Sequence, residues 1–313
     1  MSVAFLFPGQ GAQTIGMGKD LADAYPQAAK VFQEVDDALN EKLSDLIWAG
    51  DIETLTLTQN AQPALMAMSM AVIEALAAEG VSIETATYVA GHSLGEYSAL
   101  CAAGALTVTD TAKLLRTRGA AMQSATPVGM GAMAAILGLD LDAVTAVAAD
   151  AADGEVVEAA NDNDPGQIVI SGHKAAVERA AELAKEKGAK RAVMLPVSAP
   201  FHCALMQPAQ DRMAEALSNA KISAPKVPVV QNVVAQAVSD PEAIRANLVT
   251  QITGSVRWRE SVDWMESQGV ISTYEIGAGK ALSGMVRRIA KEIKTSAVGD
   301  VASLEAVTSN LKG

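Results

Sequence analysis

Apolar residues along the chain follow two rhythms, and the first elements can be read from where one gives way to the other. VAFLF at 3–7 is a short continuous apolar run closed by Pro8-Gly9-Gln10-Gly11, which predicts a buried strand followed by a loop rich in free backbone N–H groups. Leu21, Tyr25, Ala28, Phe32, Val35 and Leu39 then recur every three or four positions, the spacing of an amphipathic helix laid on a sheet. A nearly all-apolar helix is expected over 64–79, a strand at TYVA (87–90), then GHSLG and a helix through about Ala103.

Between Pro127 and Val197 the pattern changes. AMAAIL reads as a strand, LDAVTAVAADAA as a helix, VVEAA and QIVI as strands, HKAAVERAAELAKEK as a helix and RAVMLPV as a strand. The order β-α-β-β-α-β is the ferredoxin-like pattern, which can fold on its own small sheet. The expected organisation is therefore a small domain, residues 127–197, inserted in a larger α/β domain made of 1–126 and 198–313. One continuous sheet is the alternative. Beyond the insertion come an irregular stretch with Pro196, Pro200 and His202, a helix near 204–219, the strand VPVVQN (227–232) and a helix over Trp258 to Gln268. STYEIGAGKALSGMVRRI follows as strand, turn and helix. Gly277 and Gly279 lack the rest of a phosphate-binding motif and read as glycines leading into that helix.

Composition narrows the function more than the fold. The 313 residues are 50% hydrophobic but only 4% aromatic, which suits helices packed on a sheet. With 24 basic against 36 acidic residues the net charge is −12, which disfavours nucleic acid and anionic membranes as partners. Apolar runs such as ALMAMSMAVI (64–73) meet a charge after about ten residues, short of the roughly 20 that span a bilayer. The opening MSVAFLFPGQG has neither a basic n-region nor a small-residue cleavage site, so a mature start and a cytoplasmic location are expected. Cys101 and Cys203 have no metal-ligand spacing and read as reduced, buried thiols; no metal and no cofactor is expected.

Residues 91–95, GHSLG, fit the G-x-S-x-G elbow, which exposes a serine nucleophile on a sharp strand-to-helix turn. Such a serine needs a base. His92 is adjacent, and neighbouring side chains in a tight turn diverge, so its expected part is to fix the elbow by a hydrogen bond. His173 opens a helix in the insertion and reads as solvated or capping. His202, in the loop SAPFHC, remains as the base for Ser93. A Cys203–His202 pair is the weaker alternative for the same reason of adjacency. No acid between Ser93 and His202 has a recognisable setting, and a backbone carbonyl can orient an imidazole instead.

FPGQGAQ (7–13), GHSLGEYSAL (91–100), the Arg118-Gly119 pair after a helix, ANDNDPGQIVISG (160–172) and PFHC (200–203) together resemble the ordered motifs of malonyl-CoA:acyl carrier protein transacylases. The resemblance runs from Phe5 to about Ile289, and that family also carries an inserted ferredoxin-like domain. It implies that Ser93 accepts the acyl group and that His202 is its base and acid, oriented by the main-chain carbonyl of Gln251. The N–H groups of Gln10 and Leu94 would form the oxyanion hole, Arg118 would bind the malonyl carboxylate, and Phe201 would exclude branched acyl units. The implied reaction is ping-pong transfer from malonyl-CoA to the pantetheine thiol of an acyl carrier protein, feeding fatty acid or polyketide extension. For docking such an acidic carrier, Arg287, Arg288, Lys291 and Lys294 at helical spacing are one candidate patch, and Lys185, Lys187, Lys190 and Arg191 another. A serine esterase and a noncatalytic carrier-binding module are the rival readings.

Overall fold

Alternation within the first strand shows how the chain is layered. In the computed structural model, which describes residues 2–197 and 199–312, the strands are β1 (Ser2–Phe7), β2 (Tyr88–Gly91), β3 (Gly131–Leu137), β4 (Val157–Asp164), β5 (Gln167–His173), β6 (Arg191–Met194), β7 (Val229–Gln231), β8 (Gln236–Val238), β9 (Val270–Ile276) and β10 (Lys294–Val298). Six of them form one sheet in the order β10-β9-β1-β2-β7-β8, parallel except for the terminal pair β7–β8. Phe5 and Phe7 of β1 point to one face, with Val89 and Val229, into the core shared with the helices Thr58–Ala78, Leu94–Ala102 and Val108–Ser124. Ala4 and Leu6 point to the other, with Ala90 and Val230, onto Trp258, Val262 and Met265 of the helix Trp258–Ser267 and Val286 of the helix Ala281–Ile289. With both faces covered, residues 3–7 of β1 are apolar at every position, which explains why VAFLF shows no polar alternation.

The other four strands form a separate sheet, β4-β5-β3-β6, with antiparallel neighbours. Ala134, Ile136, Ile168 and Ile170 pack under the helices Leu141–Ala151 and Lys174–Glu186, whereas Met133 and Val169 on the opposite face join the main core. The end of β4 docks on the large sheet's helices. Asp162 N–H donates to Val256 O at 3.0 Å and Val256 N–H to Ala160 O at 2.9 Å. Asp162 is ion-paired to Arg259, and Asp164 to Arg288 at 2.7 Å. The expected return point at Ser198 lies outside the described residues.

Several elements differ from the sequence expectation. The stripe from Leu21 to Leu39 is two helices, Lys19–Ala24 and Pro26–Leu39, because a residue preceding proline is pushed out of the helical region, and Tyr25 sits at φ −124°, ψ 110°. The apolar helix begins not at 64 but at Thr58; its buried first turns carry Asn60 and Gln62, whose polarity hid them. At 21 residues it is long and apolar enough to cross a membrane, yet most of it is buried among other elements and it is a core helix. Arg118-Gly119 does not follow a helix but lies inside Val108–Ser124, where a Cβ on Gly119 would come within 2.6 Å of the Gln59 backbone. The four basic residues near the end do not share a helix: it stops at Ile289, Lys291 lies beyond it and Lys294 opens β10.

Candidate active site

The loop after β1 and the elbow after β2 meet because these strands are adjacent and parallel, with Phe7 opposite Gly91. Open parallel sheets bind ligands beyond the carboxyl ends of their strands, where this junction lies. Ser93 has φ 54° and ψ −109°, a conformation that non-glycine residues adopt only when the surroundings impose it. Here the surroundings are specific. His92 N–H donates to Phe7 O at 3.1 Å, Ser93 N–H to Asn232 Oδ1 at 2.8 Å, and Asn232 Nδ2 to Gly91 O at 2.7 Å. The flanking glycines are needed for closeness: a Cβ on Gly91 would lie 1.9 Å from Gly95 O, and one on Gly95 would lie 2.2 Å from Phe7 O. Gly95→Ala should therefore destabilise the protein by about 1–3 kcal/mol or more through overpacking against β1; an unchanged melting temperature would contradict this reading.

His202 arrives from the loop beyond the small sheet and is 4% exposed, with φ 58°. Its Nε2 is 2.8 Å from Ser93 Oγ, and its Nδ1 is 2.9 Å from Gln251 O and 3.1 Å from Gly254 O. Both Nδ1 neighbours are carbonyl oxygens, which only accept, so the proton belongs on Nδ1 and the Nε2 lone pair faces the serine hydroxyl. Burial pushes the imidazole pKa down to about 3, helped by the nearby Arg118 charge and opposed by the two carbonyls. It is a neutral base.

Arg118 reaches the same point from the helix Val108–Ser124 and is 1% exposed. Nη1 donates to Gln62 Oε1 at 2.9 Å, and Nη2 donates to Gln251 Oε1 at 2.8 Å and to Ser93 Oγ at 3.0 Å. The Tyr97 ring lies 5.6 Å from its Cζ. All three hydrogen-bond acceptors are uncharged, so a cation is held in a buried place with none of its direct partners neutralising it. The adjoining cavity, of about 350 Å³, is lined by Gln10, Ser93, Leu94, Arg118, Phe201 and His202 among others. The Gln10 and Leu94 amides find no backbone acceptor among the described residues, leaving both N–H groups for a ligand oxygen.

Thus Ser93, His202, Arg118, Gln251, Gln10, Leu94 and Phe201 are brought to one place. The chain matches the acyl transferase domain family over residues 4–302. It is 49% identical, over 99% of its length and 97% of the relative's, to a protein of Bacillus subtilis named malonyl CoA-acyl carrier protein transacylase.

The chain belongs to that transacylase family.

An Escherichia coli transacylase of the same name is 46% identical over 97% of each chain. Among solved structures, an acyl-carrier-protein-S-malonyltransferase from Bartonella henselae superposes with a TM-score of 0.98 at 55% identity, covering 100% of both chains. A malonyl-transacylase in complex with a type II PKS acyl-carrier protein superposes at 0.96 and 43% identity, covering 99% of this chain and 100% of that one.

The remaining predicted residues fall outside this transacylase centre or play other parts in it. His92 does hydrogen-bond, but its Nε2 meets Asn163 Oδ1 at 2.8 Å and so ties the elbow to β4; burial lowers its pKa. His173 stands at the start of its helix without capping it, and its Nδ1 accepts from Val156 N–H at 2.9 Å. Cys203 is fully buried, its Sγ 3.2 Å from Pro200 O, and burial pushes its thiol up to about 11, which makes it a poor nucleophile. Sequence reasoning missed Gln62, Glu96, Asn163, Asn232 and the side chain of Gln251. Only Glu96 left a signal, as the one charged residue in the helix Leu94–Ala102.

Proposed function

We propose that the chain transfers the malonyl group of malonyl-CoA to the pantetheine thiol of an acyl carrier protein through a malonyl ester of Ser93. His202 Nε2 takes the hydroxyl proton as Oγ attacks the thioester carbonyl, whose oxygen is met by the Gln10 and Leu94 N–H groups. The intermediate collapses, the carbon–sulfur bond breaks, and the proton passes from His202 to the departing coenzyme A sulfur. The carrier thiol then gives its proton to His202, attacks the ester, and Ser93 leaves with that proton restored. The Gln251 carbonyl holds Nδ1–H throughout, and no step needs a metal or cofactor. Phe201 bounds the acyl end of the cavity against branched units.

The observation that carries this reading is Arg118 Nη2 at 3.0 Å from the serine oxygen with only neutral partners. A malonyl unit differs from acetyl by one carboxylate, which a planar guanidinium can bind through two parallel hydrogen bonds. A hydrogen bond to a charged group contributes about 1.5–3 kcal/mol, and about 1.4 kcal/mol is tenfold. Arg118→Ala should therefore lower the preference for malonyl-CoA over acetyl-CoA by about ten- to a hundredfold. Competition between the two thioesters, read by the intact mass of the acylated protein, measures this; an unaltered ratio would remove Arg118 from the role.

The same reading takes 127–197 as an inserted ferredoxin-like domain, supported by the strand order β4-β5-β3-β6 and by its own apolar cluster. It places the activity in the cytoplasm, supplying the extender unit of fatty acid synthesis.

A further inference from the structure

Glu96 is fully buried and takes no part in the steps above. Its Oε1 accepts from Gln231 Nε2 at 2.9 Å, and its Oε2 accepts from Asn232 N–H at 2.8 Å and Gln251 Nε2 at 3.0 Å. All three partners present a hydrogen. Burial pushes the carboxyl pKa up, but these three hydrogen bonds and the nearby Arg118 charge act against that rise, and three donors converging on one carboxyl suit the ionised form. With a carboxylate there, the Gln251 amide has one tolerable orientation: Nε2 towards Glu96 and Ser93 O, the latter at 3.1 Å, and Oε1 towards Arg118 Nη2. Turning the amide over would set its NH₂ against the guanidinium donors and its oxygen against the carboxylate. Glu96 also holds the backbone of Asn232, whose Oδ1 accepts from Ser93 N–H.

We propose that Glu96 is a positioning residue for acyl selectivity: by fixing the Gln251 amide it aims Arg118 at the Ser93 oxygen, and so at the carboxylate of the incoming malonyl unit. This rests on the clamp role given to Arg118 above. Glu96→Gln keeps the shape but replaces one acceptor oxygen by a donor among three N–H groups, leaving Gln251 free to turn over. The expected result is a malonyl-to-acetyl acylation ratio lowered roughly tenfold, the weight of one hydrogen bond to a charged group. It should appear as a raised KM for malonyl-CoA, with acetyl transfer little changed. A packing defect would slow both acyl groups alike. Gln251→Met, which retains the backbone carbonyl on His202, should lower the ratio similarly, and adding Glu96→Gln to it should lower it no further.

Arg118→Ala separates the two levels of the argument. If that variant keeps the wild-type ratio, the clamp reading itself fails. If it loses selectivity while Glu96→Gln keeps it, the clamp stands and the role of Glu96 is overturned. Should Glu96→Gln not fold, Gln251→Met carries the test, and an unchanged ratio there overturns the proposal.

Discussion

Ser93→Ala is expected to form no malonyl adduct and to lower transfer to the carrier protein by about 10⁴-fold or more. The reason is geometric as much as chemical. Ser93 Oγ alone meets both the His202 lone pair, at 2.8 Å, and the Arg118 donor, at 3.0 Å. The other candidate nucleophile nearby, Cys203, is buried with its thiol pushed up to about 11 and cannot substitute. The fold should survive, since the elbow is held by the Ser93 backbone and by Asn232 rather than by the hydroxyl. Intact mass after mixing with malonyl-CoA checks the adduct, and a melting curve checks the fold. A malonyl adduct persisting in the alanine variant would place the ester elsewhere and undo the mechanism.

Legibility in the sequence depended on how local each feature is. The strand β1, the elbow and the small sheet could be read because their signals sit in short windows: an apolar run, G-x-S-x-G, and strand and helix periods in alternation. His202 followed by elimination among three histidines, and Arg118, Gln251, Gln10, Leu94 and Phe201 through the family resemblance. What stayed hidden was either short or non-local. β8 is three residues long, and β10 is a sheet edge whose exposed and half-buried positions weaken any apolar run. The network around Glu96 joins residues 135 to 155 positions apart, and its members are glutamine, asparagine and glutamate, which read as surface residues until the fold buries them. Gln62 was lost the same way, its polarity placing the helix start six residues late.

His202→Ala should slow both half-reactions by about 10²–10⁴-fold, the usual contribution of a positioned general base and acid. The burst of acylation seen by rapid-quench mass measurement should vanish even at saturating malonyl-CoA, and an undiminished burst would exclude the histidine from the first step. The pH dependence carries a second check. An ordinary histidine loses its basicity as pH falls through about 6.5, but this one is held near 3 by burial and by Arg118. Free-enzyme acylation, read as kcat/KM, should therefore show no histidine limb from about pH 7 to about pH 5. Stability should behave oppositely: below 6.5 the unfolded chain binds a proton that the folded one refuses until about 3, so folding weakens as pH falls through that window. If malonyl binds as proposed, its carboxylate on Arg118 would offset the charge that is the second cause of the low pKa, and the histidine is expected to become more basic with that acyl group in place. The limb in kcat, which reports the bound complex, should accordingly lie above that in kcat/KM for malonyl-CoA, whereas with acetyl-CoA, which brings no carboxylate, the two should coincide.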